Sequence, residues 1–223
     1  MTFPIETPNE REIDPEILSV VEAVRRKAAA KDAPVLIHTA GVPGAGKSSF
    51  ARALARRLDP ITLLAFDAIM EAIPSYRTMA NKEEAFARYE LPARAAGYWL
   101  VRELIAKKAD ILFDHSASFP KHVDLLRFAK GAGYSIVFVY VRTPSKIAKE
   151  RILARQRKEG RHTPLSYVDE RLTIIEALLD RYKRLADVYA VIDNDTHRDD
   201  LSFFANEAQK LAEKFQKARC ESC

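Results

Sequence analysis

The chain has 223 residues, a mass of 25.2 kDa and a formal net charge of +5. This length is enough to bury a sizeable core and excludes a disulfide-held miniprotein or a disordered tail. Hydrophobic residues make up 48% of the chain and charged residues 30%, a balance typical of a soluble globular protein. No apolar run reaches the roughly 20 residues that cross a bilayer, and residues 1–6 lack the pattern of a signal peptide, so a cytoplasmic protein is expected.

Short apolar runs alternate with longer amphipathic stretches along the chain. Runs of this kind, with little internal alternation, are typical of strands buried on both faces of a parallel sheet. We therefore expect an α/β fold, a three-layer sandwich with a mostly parallel five-stranded sheet and helices on both faces. The predicted strands are 35–39, 61–66, 111–113, 135–141 and 188–192.

The intervals between these strands carry apolar residues at helical spacing. Asp14 and Pro15 form an N-cap and first-turn pair for the first helix, and Pro92 could break the long helix predicted at 82–107. The other predicted helices are 47–58, 122–130, 145–158, 165–186 and one beginning at 201. We expect a single domain with a helical arm at 1–33, a core at 34–195, an arginine-bearing lid near 145–164, and a C-terminal helix within 196–223.

A glycine-rich segment follows the first predicted strand and opens a predicted helix. Residues 41–48 read Gly-Val-Pro-Gly-Ala-Gly-Lys-Ser, the phosphate-binding pattern Gly-x4-Gly-Lys-Ser in the context that it needs. The backbone N–H groups and the helix dipole would hold phosphate, Lys47 would reach the β and γ oxygens, and the Ser48 hydroxyl would bind Mg²⁺. A plain strand-to-helix turn does not require lysine and serine here. The predicted nucleotide-binding residues are Gly41, Gly44, Ala45, Gly46, Lys47, Ser48, Ser49 and Arg155.

Two aspartates end predicted strands, and parallel strands bring their carboxyl ends to the edge that carries the phosphate loop. Asp67 could accept a proton from a substrate hydroxyl as it attacks the γ-phosphate, or it could be the N-cap of a following helix. Asp114 could order the water shell of the metal or hold an acceptor hydroxyl, with Ser116 beside it. The alternative for Asp114 is a cap for the loop at 116–118.

Arginines are concentrated between residues 151 and 161. Arg151 and Arg155 lie four positions apart on one helix face, where guanidinium groups could stabilise the charge of a transferring phosphoryl group. The alternative is a solvated basic helix face.

Taken together, these residues resemble the zeta toxin family of P-loop kinases over residues 34–195. The matching elements are the phosphate loop, the stretch 67–76 with Pro74, Glu150 with Arg151, Arg155, and Gly-Arg-His-Thr-Pro at 160–164. The resemblance implies a kinase-type P-loop fold that uses ATP or GTP to phosphorylate a sugar hydroxyl. In characterised members the acceptor is UDP-N-acetylglucosamine, at its 3′-hydroxyl.

The resemblance also implies roles for individual residues. Asp67 would be the general base, Lys47 the phosphate clamp, and Arg151 and Arg161 the helix and loop arginines. The resemblance leaves room for an antitoxin protein as a partner, and the sequence itself does not show whether there is one. Neither a membrane nor a nucleic-acid partner is expected.

The sequence departs from the family pattern around the acceptor. Met70 replaces a basic residue, Asp-His-Ser-Ala-Ser at 114–118 replaces Glu-Gly-Thr, and Tyr98 and Trp99 stand near an expected acidic position. Trp99 and Tyr98 could stack on a base or a sugar, although their helical positions are more typical of a core. Two alternatives therefore stay open: another small-molecule kinase, acting on a nucleoside, a sugar acid or an antibiotic, and a nucleotide-binding module without turnover.

The remaining candidate metal ligands carry little signal. His115, His122 and His162 lack metal-ligand spacing and are expected to be polar surface residues or hydrogen-bonding groups. Cys220 and Cys223 form one Cys-x-x-Cys pair at the end of the sequence without a second ligand pair, so neither a zinc site nor a redox motif is expected.

Overall fold

A computed structural model describes residues 2–58, 60–159, 163–195 and 201–220, without the side chains of 159, 201 and 214–220. A single sheet lies at its centre, with the strand order β2-β3-β1-β4-β5 and every pairing parallel. This arrangement confirms the predicted α/β fold. The strands are β1 (Val35–Ala40), β2 (Thr62–Leu64), β3 (Ile111–Phe113), β4 (Ser135–Arg142) and β5 (Val188–Asp193).

The burial of the central strands explains why they were recognisable. All six residues of β1 are buried, and so are the six between the ends of β4. In the sheet register Leu36 pairs with Ile111 on one side and with Ile136 on the other. Because all strands run the same way, the loops that follow β1, β2, β3, β4 and β5 meet at one edge of the sheet.

Helices cover both faces of this sheet. They are α1 (Pro15–Lys27), α2 (Lys47–Ala55), α3 (Phe66–Ala72), α4 (Pro74–Thr78), α5 (Lys82–Ala106), α6 (Lys121–Gly131), α7 (Ser145–Glu159), α8 (Ser166–Leu185) and α9 (Leu201–Cys220). Asp14 caps α1 as predicted, because its carboxylate accepts hydrogen bonds from the N–H groups of Glu16 and Ile17. Over the described ranges, no helix combines the length and apolar character that a membrane span requires.

The long helix α5 does not break at Pro92, so that alternative is wrong. Pro92 cannot donate a backbone hydrogen bond, which usually interrupts a helix. Here Tyr89 and Ala93 are buried on either side of it, and Trp99 further along is only 1% exposed, so packing holds the helix together while Pro92 faces solvent. Trp99 is a core residue, as its helical position indicated.

Of the two short helices α3 and α4, the sequence indicated only the first, as the helix that Asp67 could cap. They follow β2 and pack on α5, where Gly97 leaves room for the ring of Phe66, since a Cβ at that position would overlap the ring. Glu16 of α1 holds the start of α4 by accepting hydrogen bonds from the backbone N–H (3.0 Å) and the hydroxyl (2.8 Å) of Ser75. This segment between β2 and α5 forms one wall of the cleft at the sheet edge.

Candidate active site

The phosphate loop connects β1 to α2 at the carboxyl edge of the sheet. Gly41, Gly44 and Gly46 all have positive φ, at 141°, 81° and 95°. A Cβ at Gly44 would overlap the carbonyl oxygen of Ala148, and one at Gly46 would lie 2.5 Å from the ring of Phe204. The glycines are therefore needed both for the backbone conformation and for the close approach of α7 and α9.

The loop is held from outside by polar groups that follow other strands. The backbone N–H of Gly41 donates to the carbonyl of Ser116, 3.1 Å away. The carbonyl of Ala45 accepts from the side-chain amide of Asn194 at 2.8 Å and from the hydroxyl of Thr143 at 3.3 Å. Segments after β3, β4 and β5 thus position the predicted nucleotide-binding loop.

Lys47 begins α2 and folds back over the loop. Its Nζ donates a hydrogen bond to the carbonyl oxygen of Val42 at 2.9 Å. Burial lowers the pKa of Lys47 to about 8, with nearby Asp114 and Asp67 opposing that fall and nearby Arg171 and Arg155 adding to it. The amine is thus surrounded by both predicted carboxylates, as expected of a group that meets phosphate.

Asp114 follows β3 and is only 8% exposed. Its Oδ1 accepts a hydrogen bond from the Thr39 hydroxyl at 3.0 Å, which ties the ends of β3 and β1 together. The loop at 116–118 is instead closed by Ser116, whose Oγ lies 2.7 Å from the hydroxyl of Ser118 and accepts from its backbone N–H. The alternative role of Asp114 as the cap of that loop is therefore wrong.

Asp67 lies in the first turn of α3, after β2, and its side chain is exposed. The N-cap of α3 is Ala65, which makes no side-chain capping bond, so the alternative that Asp67 is the N-cap is wrong. The charge of Asp67 acts on the pKa of Lys47 and on that of Arg171. The structure therefore brings Asp67 to the cleft that the phosphate loop faces.

Of the two arginines predicted on α7, Arg151 contacts the phosphate loop and Arg155 contacts the segment before α8. Arg151 donates from Nη1 to the carbonyl of Gly44 at 3.3 Å and from Nη2 to Oδ1 of Asn194 at 3.0 Å. Arg155 donates to the hydroxyl of Thr163 at 3.2 Å. Arg161 lies outside the described residues, as do His162 and Cys223. The roles of these arginines in catalysis stay predictions.

Sequence reasoning missed Arg171, Arg94 and Asn194. Arg171 lies on α8 with its guanidinium 4.8 Å from the ring of Tyr167, and its pKa is lowered by burial and then by the nearby charge of Arg94. Arg94 lies on α5 and pairs with Glu90. No motif marks these residues, because they reach the cleft only through the packing of α5 and α8 and the position of β5.

Beneath the cleft lies a chain of buried polar rings. His38 Nε2 lies 3.1 Å from His122 Nδ1, and His122 Nε2 lies 2.8 Å from the hydroxyl of Tyr98. Burial lowers the pKa of His38 to about 4 and that of His122 well below its usual value. His115 packs on this cluster, with its ring centroid 4.7 Å from that of His122. His122 is thus the hydrogen-bonding group that was expected.

Two of the departures from the family pattern also prove to be core residues. Met70 is 1% exposed, and Tyr98 is buried against Phe66, with the ring centroids 4.7 Å apart. Neither position presents an exposed side chain to an acceptor. The charge of Asp67 instead raises the pKa values of the cleft residues Lys47 and Arg171 against the effect of burial.

Comparison with known proteins agrees with this geometry. The family model for Zeta toxin matches residues 21–209, which is most of the chain. The chain belongs to the Zeta toxin family. A comparison with curated proteins found no match.

Solved structures show the same fold at low sequence identity. A structure of the PezAT chromosomal toxin-antitoxin system of Streptococcus pneumoniae is 14% identical, with a TM-score of 0.64, and covers 99% of this chain and 100% of that one. A complex of AvrRxo1-ORF1 and ORF2 with ATP is 16% identical, with a TM-score of 0.63 over 82% of this chain and 65% of that one. Shikimate kinase from Acinetobacter baumannii with shikimate is 18% identical, with a TM-score of 0.53 over 89% and 98%.

The family and the fold together support a nucleotide-dependent, kinase-type function for this Zeta toxin family member. The fold is that of the P-loop kinases. The acceptor has to be argued from the residues of this chain.

Proposed function

We propose that this protein transfers the γ-phosphate of ATP or GTP to a hydroxyl of a sugar or nucleotide sugar such as UDP-N-acetylglucosamine. The observation that carries the proposal is the convergence of Lys47 and Asp67 at one edge of the sheet, close enough for the carboxylate to influence the pKa of the amine. A phosphate clamp and a carboxylate base on two sides of one cleft suit phosphoryl transfer to a hydroxyl.

The reaction follows from these positions. The acceptor oxygen attacks the γ-phosphorus, the bond from that phosphorus to the β–γ bridging oxygen breaks, and the nucleoside diphosphate leaves. The hydroxyl proton passes to the carboxylate of Asp67. The amine of Lys47 leaves the Val42 carbonyl to meet the phosphates, and the loop amides hold them. A positioned base contributes roughly 10²- to 10⁴-fold to the rate.

Ser48 and Asp114 suit a divalent cation. The Ser48 hydroxyl is exposed at the start of α2, and the Asp114 carboxylate lies at the end of the neighbouring strand, so both offer the oxygen ligands that Mg²⁺ prefers. When bound, Mg²⁺ would neutralise phosphate charge. We expect Ser48 to bind the ion and Asp114 to act beside it.

The charges around Asp67 favour an anionic acceptor. Burial and then the nearby charge of Arg94 lower the pKa of Arg171, while the charge of Asp67 opposes that fall. The pKa of His115 is lowered as well, by burial, by His38 and by both arginines. An acceptor with phosphate groups would neutralise this cluster. The same charges favour a sugar acid as the second candidate acceptor.

An antitoxin partner forms part of the proposal. Similar folds occur in the PezAT toxin-antitoxin system and in a complex of two AvrRxo1 open reading frames. Co-expression with the product of a neighbouring gene and co-purification would test this partner.

The test of the kinase activity is a reaction with ATP or GTP and a panel of nucleotide sugars, sugars and sugar acids, read by mass spectrometry. A product heavier by one phosphate from a nucleotide sugar is expected. Asp67→Asn should lower its formation by at least about 10²-fold while nucleotide affinity stays within a few-fold.

Glu71→Gln is the matched control, because Glu71 is an exposed carboxylate one turn further along α3. It should leave the rate unchanged. Equal rates for Asp67→Asn and the wild type would refute the base assignment. Product only from sugar acids would replace the nucleotide-sugar acceptor with the second candidate.

A further inference from the structure

Asn194 is a buried side chain that contacts two parts of the proposed machinery. It follows β5, is only 2% exposed, and lies between the exposed residues Asp193 and Asp195. Its Nδ2 donates to the carbonyl of Ala45 at 2.8 Å, and its Oδ1 accepts from Arg151 Nη2 at 3.0 Å. One amide therefore joins the phosphate loop to an arginine of α7.

The first contact affects the direction of a loop amide. In a trans peptide the carbonyl and the following N–H point in opposite directions. The amide of Asn194 and the hydroxyl of Thr143 both draw the Ala45 carbonyl away from the cleft. The N–H of Gly46, which shares that peptide plane, is thereby turned inward, to the side where phosphate binds.

The second contact affects the arginine. Among its contacts, Arg151 donates hydrogen bonds to the carbonyl of Gly44 and to Oδ1 of Asn194. Two bonds to one planar guanidinium restrict both its position and its plane. A charged group that is already in position stabilises the transition state more effectively, because no free energy is spent on moving it during the reaction.

The surroundings of Asn194 allow few replacements. A Cβ at Gly46 would lie 2.9 Å from Asn194 Nδ2 and 2.5 Å from the ring of Phe204, so the amide fills the space behind the loop. The site requires a donor toward Ala45 and an acceptor toward Arg151 on one short side chain. Asparagine supplies both.

We propose that Asn194 is a positioning residue that turns the Gly46 amide toward phosphate and holds Arg151 for phosphoryl transfer. The Arg151 half of this inference rests on the proposed kinase function. The Gly46 half concerns nucleotide binding alone.

Two variants separate the two contacts. Asn194→Asp keeps an acceptor for Arg151 but replaces the donor to Ala45 with an oxygen, and Asn194→Ala removes both. In a fluorescence titration with a non-hydrolysable ATP analogue, both should bind about tenfold more weakly than the wild type, a typical cost of one lost hydrogen bond near a charge. Asp195→Ala, at the exposed neighbour, is the matched control and should bind normally.

The Arg151 contact is tested by combining variants and measuring nucleotide turnover, with water as acceptor if none is known. Arg151→Ala should cost much less in the Asn194→Ala background than in the wild type, but nearly its full cost in the Asn194→Asp background. If Asn194 had a purely structural role, its replacement would lower the melting temperature, and the turnover losses of Asn194→Ala and Arg151→Ala would multiply.

Each result decides one part. Wild-type nucleotide affinity in folded Asn194→Asp would overturn the role at Gly46, and multiplicative losses of Asn194→Ala and Arg151→Ala would overturn the role at Arg151. If Asn194→Ala does not fold, Asn194→Leu, which also removes the donor and the acceptor, replaces it in the combination with Arg151→Ala, and the Asn194→Asp titration still decides the role at Gly46. The titration needs no acceptor, so its result is independent of the acceptor assigned above.

Discussion

Removing the amine of Lys47 should stabilise the nucleotide-free protein near neutral pH, although it destroys activity. In the free protein this amine donates to the Val42 carbonyl, and burial lowers its pKa to about 8. Lys47→Met keeps most of the aliphatic stem and removes the charge. We expect the variant to be more stable than the wild type at pH 7 and to lose turnover.

The magnitude follows from the pKa. A fall from 10.5 to about 8 corresponds to about 3.4 kcal/mol, at about 1.36 kcal/mol per pH unit. Because the side chain is only part-buried, solvent screening reduces this cost to about 1.7 kcal/mol. The variant also loses the hydrogen bond to Val42, which lowers its stability by about 1 kcal/mol. The variant should therefore gain about 0.7 kcal/mol at pH 7, or about 2 °C in melting temperature.

The pH dependence gives the sharper test. The pKa of Lys47 is lower in the folded protein than in the unfolded chain, so the unfolded chain binds more protons between pH 8 and 10.5. Folding of the wild type therefore becomes more favourable, relative to the variant, as the pH rises through this window. By pH 10.5 the wild type should be the more stable by about 1 kcal/mol, the value of its hydrogen bond.

Urea unfolding of both proteins at pH 7, 8.5 and 10.5 measures this crossover. Lys121→Met is the matched control, because Lys121 is exposed at the start of α6 and its loss removes the same charge. Its difference in stability from the wild type should keep the same sign at all three pH values. A wild type that is more stable than Lys47→Met at every pH would refute the reasoning. ATP should raise the melting temperature of the wild type and hardly that of the variant.

Three other predictions concern the cleft wall and the buried rings. In Gly97→Ala the new methyl group would overlap the ring of Phe66, next to the proposed base. Turnover should fall at least about tenfold in a kinetic assay, while nucleotide affinity in a titration stays unchanged. Tyr98→Phe should cost about 1–2 kcal/mol in urea unfolding, since the buried Nε2 of His122 loses its hydrogen bond to the Tyr98 hydroxyl. Burial lowers the pKa of His38 to about 4, so between pH 6.5 and 4 the unfolded chain binds more protons than the folded protein. The urea midpoint should therefore fall as the pH falls through that window.

The sheet and the phosphate loop could be predicted because their signals are local. The central strands β1, β3 and β4 are short runs of mostly buried, apolar residues, and the Gly-x4-Gly-Lys-Ser pattern requires its own strand and helix. The third strand was predicted with its observed bounds, and the others were correct within a few residues. The second strand is shorter than expected, because α3 begins at Phe66.

The rest depends on contacts between residues far apart in the chain. His38 meets His122 across 84 positions, and Asn194 meets Ala45 across 149. His38, His122 and Asn194 lie in no motif, and the motif that contains Ala45 does not specify the residue that supports it, so nothing local predicts either pairing. Pro92 shows the opposite case, in which a strong local signal was overruled by the burial of the helix on both sides of it.

The way the phosphate loop is supported has a consequence for synthesis of the protein on the ribosome. The loop itself is complete once Ser48 has been made, but Thr143 and Asn194, which hydrogen-bond to it, and Ala148 and Phe204, which pack close to it, come much later in the chain. A nascent chain that has exposed only its first half therefore carries the nucleotide motif without the supports that shape it. Nucleotide binding should begin only when the segment after β5 has emerged, which delays any activity until translation of the fold is nearly finished.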